Sequence, residues 1–506
     1  MSPIIYISLV VLYVFVMLAI GYWCMRRTKN VGDIFLGGRT LGPWMSAFAY
    51  GTTYFSAVLF IGYAGRLGWG FGIQPMWIVI GNTFVGTLLA WLVLAGRTRE
   101  MTARLNALTM PEFLRARYNS APLQVISAVI IFVFLVPYSA SVYMGLSYLF
   151  QKTLGLQYNE ALIFLAALTG VYLVMGGYFA VAVSDFIRGI VEFLGVLIMV
   201  LLLASMKGGL IASFTALMDP KYMPAFHAPP PPTGPPFPGW VIFVSLVLIT
   251  SFGPWALPQM VQKFYSIRSK ADVNRAMIIA TVFALFMSFG AYYSGALTHL
   301  FFTDPKTDLA PIVDAATNKP NLDLLMPFFI TSYVPQWLVL VILLMVFSAS
   351  MSSLSSLVLV SSSAIAIDIY GAFGNREKND KRTMLLMRGL CAVFVLLSLL
   401  IAVSKVDVIV NLLVIAWGAL SGAFLAPYLY GLFWRRTTKA GAYAGMISGV
   451  GTAVVLFLLW GKPLIPVAGA IAMFLPLLVV PVVSLMTKPP GPEVIATAFG
   501  DKPQNT

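Results

Sequence analysis

Long apolar runs separated by short polar links dominate the chain. A helix needs about 20 mainly apolar residues to cross a bilayer, and about 13 runs meet that rule. Only helices and closed barrels satisfy their backbone groups inside lipid, so the pattern predicts an all-α membrane protein of about 13 transmembrane helices. The predicted spans are 4–25, 42–66, 70–96, 122–151, 157–177, 179–206, 239–264, 275–302, 336–370, 384–404, 407–433, 439–460 and 464–486.

The composition excludes a soluble protein. Of the 506 residues, 59% are hydrophobic and 10% are charged, whereas soluble domains carry about 25% charged residues. The net charge of +14 arises from Lys and Arg in the links between spans, not from a stripe on one face, so we expect no nucleic-acid partner. Cys24 and Cys391 lie inside separate apolar runs, which predicts packing residues and no disulfide.

The basic residues also predict the orientation. Dense clusters alternate with links that hold few Lys or Arg, and the positive-inside rule puts the dense links in the cytoplasm. We therefore expect a multi-pass protein of the inner (plasma) membrane with its N-terminus outside and its C-terminus in the cytoplasm. The first run reads as a retained helix and not as a cleaved signal. The cytoplasmic clusters begin at Arg26, Arg97, Lys263, Arg376 and Arg435.

No enzyme constellation stands out among the residues. The two histidines, His227 and His299, have no partner at metal-ligand spacing, and the sequence contains no Walker A loop. We therefore expect neither an enzyme nor an ATP-driven pump, which leaves transport powered by an ion gradient. The proline-rich segment 227–238 predicts an extended external loop. We expect no signalling domain after residue 488, which disfavours a membrane sensor.

Asp185 is a candidate for chemistry because an acid inside an apolar span is costly and usually functional. It is predicted to bind a cation or carry a proton. The alternative is a structural pair with Arg188, which follows it by three residues on the same helix.

Hydroxyl and small residues concentrate in two further spans. Ser352, Ser355 and Ser356 share one helical face of the run 336–370, and hydroxyl oxygens suit a hard cation. Small residues also allow close helix packing, which is the alternative. In the second span, Gly51 precedes Thr52 and Thr53, a pattern compatible with a helix break at a binding site. Aromatic residues are candidates for pocket lining or for packing, namely Tyr54, Phe55, Tyr138, Trp255 and Trp417.

Five segments in order resemble the sodium/solute symporter family, which includes sodium/proline, sodium/sialic acid and sodium/glucose symporters. The resemblance covers residues 30–488 and rests on DIFLGGRTLGPW (33–44), GGYFAVAVSDFIRG (176–189), PWALPQMVQKFYSIRS (254–269), SASMSSLSSLVLVSSSAIAIDIYG (348–371) and APYLYGLFWRRTTKAGAYAGMISG (426–449).

The resemblance implies a LeuT-type fold of two inverted repeats of five spans each. The implied division of the chain is a first helix and cytoplasmic link (1–41), a first repeat (42–206), a proline-rich external loop (207–238), a second repeat (239–433), two additional spans (434–487) and a cytoplasmic tail (488–506). We expect a monomer in the lipid bilayer.

The resemblance also implies sodium sites. One sodium ion would be held by backbone oxygens of Thr52, Phe55 and Ala349 and by the hydroxyls of Ser352 and Ser353. A second sodium, as in relatives similar to the sialic acid symporters, would be held by Asp185, Ser352, Ser355 and Ser356. Arg39 matches a basic residue with a structural or gating role at the cytoplasmic entrance.

The substrate pocket matches the family less well. Tyr54 stands where proline carriers have an aspartate, and Val58 and Leu59 stand where sugar carriers have polar groups. We assign Thr53, Tyr54, Tyr138 and Trp255 to the pocket. The predicted function is sodium-coupled import of a small organic solute, an amino acid such as proline, with a monocarboxylate or a sugar as alternatives. The same fold could also serve as a proton-coupled carrier, a uniporter or a membrane sensor.

Overall fold

The computed structural model describes residues 3–25, 39–175, 178–231, 234–302, 304–314, 318–373 and 380–500. Long helices dominate this part of the chain. In order they are α1 (Pro3–Met25), α2 (Pro43–Tyr54), α3 (Val58–Phe71), α4 (Met76–Arg104), α5 (Met110–Tyr118), α6 (Ala121–Leu154), α7 (Tyr158–Met175), α8 (Tyr178–Ser205), α9 (Gly239–Phe252), α10 (Pro258–Tyr265), α11 (Lys270–Phe301), α12 (Leu325–Tyr333), α13 (Gln336–Ile369), α14 (Asp380–Ser404), α15 (Ile409–Phe433), α16 (Lys439–Trp460), α17 (Lys462–Met486) and α18 (Pro492–Phe499).

Short elements connect the long helices. A two-residue antiparallel hairpin pairs Val313–Asp314 with Lys319–Pro320. The predicted external loop 207–238 contains a two-turn helix, Leu210–Ala216, which lies before the segment 227–238 that the sequence predicts to be extended. The other short pieces are Pro220–Tyr222, Gly253–Trp255, Pro305–Asp308, Ala310–Ile312, Leu322–Leu324 and Tyr370–Phe373.

The described residues contain 10 helices long and apolar enough to cross a membrane, with α9 and α10 counted together as one. The count rises to 11 if the bent pair α2 and α3 is also taken as one span. The predicted count of about 13 is therefore not confirmed. The two remaining predicted spans, 4–25 and 157–177, are helical as α1 and α7. The long run 336–370 forms one continuous helix, α13.

Helices α13 and α15 form the centre of the bundle. Within their most apolar windows, 83% and 89% of residues are buried, compared with 28% for α16. Large apolar side chains on the outer helices are exposed instead, including Leu92, Leu396 and Leu458. Such a surface suits lipid and not water.

The second predicted span is broken. α2 ends at Tyr54, Phe55 is extended (φ −110°, ψ 127°), and α3 leaves at 47° to α2. The Ala57 N–H donates to the Ser350 hydroxyl (3.2 Å) on α13. The break lies a few residues after Gly51, the glycine that the sequence suggested. Gly51 instead allows close packing, since a Cβ there would overlap the Phe283 ring of α11.

The seventh predicted span is also broken. α9 ends at Phe252, a 3₁₀ turn follows at Gly253–Trp255, and α10 begins at Pro258. Pro254 and Pro258 explain the interruption, because proline has no N–H to donate to the preceding turn and disfavours helix at the residue before it.

Two glycines set the closest helix crossing near the first break. A Cβ on Gly295 of α11 would overlap the Ala64 carbonyl of α3, and a Cβ on Gly68 would overlap the Gly295 backbone. Backbone atoms cannot rotate away, so even one methyl group would force the two helices apart.

We expect Gly295→Ala to lower the melting temperature of the purified protein by several degrees, since overpacking costs about 1–3 kcal/mol. Gly451→Ala is the matched control, because a Cβ at this α16 position meets nothing within 4 Å. Thermal unfolding in detergent measures both. Equal melting temperatures for the two variants would contradict the proposed backbone contact.

Candidate functional site

The break between α2 and α3 faces a row of hydroxyls on α13. The Ser353 hydroxyl lies 3.3 Å from the carbonyl oxygens of both Thr52 and Thr53. All three residues are almost completely buried. A broken helix leaves carbonyls without their usual N–H partners, and here α13 supplies the polar groups that meet them.

Ser352 extends this row towards an acid. Its hydroxyl lies 2.6 Å from Asp185 Oδ1 on α8 and 2.9 Å from the Thr52 hydroxyl on α2. Three helices thus meet at one serine. Ala349 lies one turn before Ser353 on α13, and Phe55 is the extended residue of the break. The structure therefore brings together the elements that carry the predicted ligands Thr52, Phe55, Ala349, Ser352 and Ser353.

These groups can serve a hard cation chemically. Carbonyl and hydroxyl oxygens are the ligands that such ions prefer when they shed water. No side chain in this set of five is ionised, so the carboxylate of Asp185, which contacts Ser352, is the negative charge that would attract an ion here. The binding of sodium at these residues remains a prediction.

The predicted second site contains a residue that sequence reasoning placed elsewhere. Asp185 and Ser356 do lie close together, but the Lys263 ammonium is between them, 3.6 Å from Asp185 Oδ2 and 3.1 Å from the Ser356 hydroxyl. The Lys263 side chain is only 2% exposed. Sequence analysis counted Lys263 with the basic cluster at the cytoplasmic end of the predicted span 239–264, whereas the structure buries its side chain inside the bundle on α10.

Asp185 has a second basic neighbour. Arg188 Nη1 lies 3.8 Å from Asp185 Oδ1, one turn along α8. The structural pair that the sequence left open is therefore present. Two like charges about 4 Å apart repel by about 4 kcal/mol at an effective dielectric constant near 20, so a further cation beside Asp185 would meet strong repulsion from Lys263.

The remaining serines of the predicted second site differ in their contacts. The Ser355 hydroxyl donates to the Met351 carbonyl (2.6 Å) on its own helix. The Ser356 hydroxyl lies 3.1 Å from the Thr53 hydroxyl, which also donates to the Ala49 carbonyl (2.7 Å). Ser356 therefore connects Lys263 on α10 to the break in α2 and α3.

A small cavity lies beside the break between α2 and α3. Its lining combines aromatic rings with a few uncharged polar groups, and none of the lining residues carries a charge. The residues are Tyr54, Phe55, Ser56, Val58, Leu59, Tyr63, Asn82, Tyr138, Thr250, Tyr292, Leu413 and Trp417.

Of the residues assigned to the pocket from sequence, Tyr54 and Tyr138 lie in this lining. Thr53 points its hydroxyl at Ser356 instead, and the Trp255 indole donates to the Val85 carbonyl (2.9 Å) outside the lining. Sequence reasoning missed Asn82, whose Oδ1 is buried and makes no hydrogen bond within the described residues. A lone amide in an apolar run was the available signal.

Arg39 connects its own segment to two others. Its guanidinium donates to the carbonyls of Tyr265 (3.0 Å), Ala107 (3.0 Å) and Thr102 (3.3 Å) and to the Thr102 hydroxyl (3.3 Å). Beside it, Leu41 pairs with Ser266 and Arg268 through backbone hydrogen bonds. The position agrees with the predicted structural role, while a gating role remains a prediction.

A second ion pair lies at the opposite end of α3. Arg66 Nη2 contacts Asp323 Oδ1 at 3.3 Å, and Asp323 Oδ2 accepts from the Ile409 N–H (3.2 Å) at the start of α15. Burial raises the pKa of the Asp323 carboxyl, and the charge of Arg66 opposes that rise. Asp323 thus joins α3 to α15.

The amino-acid sequence of the chain is similar to those of known transporters. A family model described as the sodium:solute symporter family matches residues 34–449. The chain is 29% identical over 451 residues to a sodium/proline symporter of Escherichia coli (strain K12), covering 88% of this chain and 86% of that protein. It is 27% identical over 461 residues to the osmoregulated proline transporter OpuE of Bacillus subtilis (strain 168), covering 88% and 87%.

Solved structures share the fold. A sodium-coupled sialic acid symporter in a substrate-bound, outward-open state superposes with a TM-score of 0.79 at 18% identity, covering 96% of this chain and 98% of that one. The nucleobase-cation-symport-1 family transporter Mhp1 superposes with a TM-score of 0.54 at 14% identity, covering 93% and 99%. The predicted fold class, an all-α membrane protein with a LeuT-type inverted repeat, is confirmed.

We expect Ser353→Ala to raise the sodium concentration needed for half-maximal thermal stabilisation by about tenfold, since a hydrogen bond or ligand to a charged species contributes about 1.5–3 kcal/mol. Melting curves of the purified protein in sodium against choline chloride measure the effect. Ser361→Ala is the control, because this buried α13 hydroxyl makes no hydrogen bond within the described part of the chain. The same sodium response in both variants would refute the site.

We expect Arg39→Ala to raise the hydrogen-exchange rates of the Leu41 and Arg268 amides by about tenfold. The four hydrogen bonds of the Arg39 guanidinium hold this segment beside Tyr265, and their loss should loosen the backbone pairing of Leu41 with Arg268. Mass spectrometry of peptides from both segments measures the change. Arg436→Ala is the control, since Arg436 donates to the Leu485 and Thr487 carbonyls at another place. Unchanged exchange at Leu41 and Arg268 in Arg39→Ala would count against the structural role.

Proposed function

The chain belongs to the sodium:solute symporter family and is a sodium-coupled symporter, and we propose that the solute it imports is an amino acid, L-proline. The curated relatives named above are proline transporters, and the match to them extends over most of both chains. A monocarboxylate is less suitable for the chemistry of the cavity.

The cavity carries this proposal because it offers separate partners for the two charged ends of a zwitterion. The Asn82 Oδ1 and the Tyr63 hydroxyl both line it, and neither makes a hydrogen bond within the described residues. The amide oxygen accepts from an ammonium group, and the phenol donates to a carboxylate. Without a charged residue in the lining, a net anion such as a monocarboxylate would have no counter-charge.

The lining of the cavity also supports a small solute that carries an apolar ring. The rings of Tyr54, Phe55 and Trp417 supply apolar contact for an aliphatic ring. Tyr54 is held in place by its own hydrogen bond to the Thr250 carbonyl (2.6 Å).

Sodium would act through the break in α2 and α3. The ion would be held by Thr52, Phe55, Ala349, Ser352 and Ser353, while Tyr54, Phe55 and Ser56 of the same break line the cavity. An ion that orders the break therefore orders the solute contacts, and the coupling is reciprocal: each raises the affinity for the other by the same factor.

The charge pattern supports the proposed membrane orientation of the protein. We place it as a monomer in the plasma membrane with its N-terminus outside and its tail in the cytoplasm, where Arg39 and the basic links would lie. Proton coupling, uniport and a sensing role are not favoured, because the family and the named relatives are sodium symporters.

We expect proteoliposomes with an inward sodium gradient to accumulate labelled L-proline, and no uptake when choline replaces sodium at either neutral or acidic pH. Asn82→Ala should raise the KM for proline by about tenfold or more, because a lost hydrogen bond to a charged group contributes about 1.5–3 kcal/mol. Asn411→Ala is the control, since that amide donates to Asp407 away from the cavity.

The result that would overturn the assignment is equally direct. Sodium-driven uptake of pyruvate or glucose without uptake of proline would reject the solute. Uptake of proline driven by a proton gradient in sodium-free buffer would reject sodium as the coupling ion.

A further inference from the structure

We propose that the ammonium group of Lys263 takes the place of a second sodium ion, so that this transporter couples one sodium to each solute. The inference rests on the proposed function and concerns its stoichiometry. It arises from the position of Lys263 among the oxygens that the sequence assigned to a second ion.

The contacts of Lys263 are those of an ion in a site. Its Nζ lies 3.1 Å from the Ser356 hydroxyl and 3.6 Å from Asp185 Oδ2. Asp185 is itself fixed by the Ser352 hydroxyl at 2.6 Å. Three of the four residues predicted to hold the second sodium therefore surround or support the ammonium group, and Ser355 uses its hydroxyl on the Met351 carbonyl of its own helix.

Charge balance favours the lysine over an added ion. Asp185, Arg188 and Lys263 are all at most 1% exposed, and the two basic groups already bring two positive charges beside one carboxylate. A sodium ion beside Asp185 would add a further positive charge to this buried cluster, which a low-dielectric interior opposes strongly.

The ammonium group differs from sodium in one respect that matters for transport: it is covalently attached. Lys263 lies on α10, the second half of the broken seventh span, and contacts α8 and α13. It can hold these helices in one arrangement as an ion would, but it cannot leave with the solute. Only the ion at the break of α2 and α3 would then cross the membrane.

The consequence is a limit on accumulation. At zero voltage, a symporter that moves one sodium balances a tenfold sodium gradient with about a tenfold solute gradient, and one that moves two sodium ions with about a hundredfold gradient. Stoichiometry is therefore measurable as the solute gradient at which net flux stops.

The first experiment uses the wild-type protein in proteoliposomes with a tenfold inward sodium gradient and the voltage clamped at zero by potassium and valinomycin. The internal proline concentration at zero net flux is measured, together with the ratio of ²²Na⁺ to labelled proline taken up. We expect a gradient of about tenfold and a flux ratio near 1. A gradient near a hundredfold with a ratio near 2 would overturn the proposal.

The second experiment tests the role of the charge. Lys263→Ala removes the ammonium group and leaves space beside Asp185, so we expect a second sodium to bind there and the flux ratio to rise towards 2. Lys263→Arg keeps a positive charge, and we expect its ratio to stay near 1. In the double variant K263A/D185N no carboxylate remains to attract the ion, and the ratio should return to about 1.

Each outcome decides the question. A ratio near 1 in an active Lys263→Ala protein would show that the lysine does not stand in for sodium, which overturns the proposal. If Lys263→Ala does not transport, the wild-type ratio decides: a value near 1 supports the proposal and a value near 2 rejects it. Absence of sodium-driven proline uptake in the wild type would instead reject the proposed function, so the two failures are distinguishable.

Discussion

A helix that breaks at the depth of the membrane must find partners for the backbone groups it frees, and the rest of this site depends on that constraint. At the break after Tyr54, α13 supplies several of these partners. Ser350 accepts the Ala57 N–H, and the Ser353 hydroxyl lies against the carbonyls of Thr52 and Thr53. The hydroxyls of Ser352 and Ser353 are also hard oxygen ligands, so the predicted ion site would use a hydroxyl that already meets the carbonyls of the break.

The buried charged side chains also need partners inside the bundle. Buried charges are tolerated when they are paired and hydrogen-bonded. Asp185 satisfies this with Ser352, Arg188 and Lys263, which come from three different helices. The pairing links the break between α2 and α3 to the broken seventh span, because Ser352 also contacts Thr52 while Lys263 lies on α10. A rearrangement of either broken span must then change the environment of the acid.

The cavity lies where ion and solute can influence each other. Phe55 belongs both to the predicted ion ligands and to the cavity lining, and Tyr54 and Ser56 flank it. Polar ties lie at both ends of this region, with Arg39 holding Leu41 near Tyr265 and Ala107 on one side and Arg66 holding Asp323 on the other. In the proposed mechanism, the turn at Phe55 belongs to both predicted sites, so sodium and solute would be coupled through the break itself.

The amino-acid sequence by itself determined the apolar spans, their all-helical nature and the family, because lipid imposes a length and a composition that are visible without any tertiary information. It also identified Asp185 and the serines of α13, since polar groups are conspicuous in apolar runs. Only the tertiary structure decided where the second span breaks and what fills the space beside Asp185. A lysine at the end of an apolar run reads as a residue that reaches water, whereas in the structure Lys263 on α10 lies buried beside Asp185. The tertiary structure also decided that Asn82 and Tyr54 line the cavity while Thr53 contacts Ser356. These positions depend on how the helices meet, which spacing along the chain does not specify.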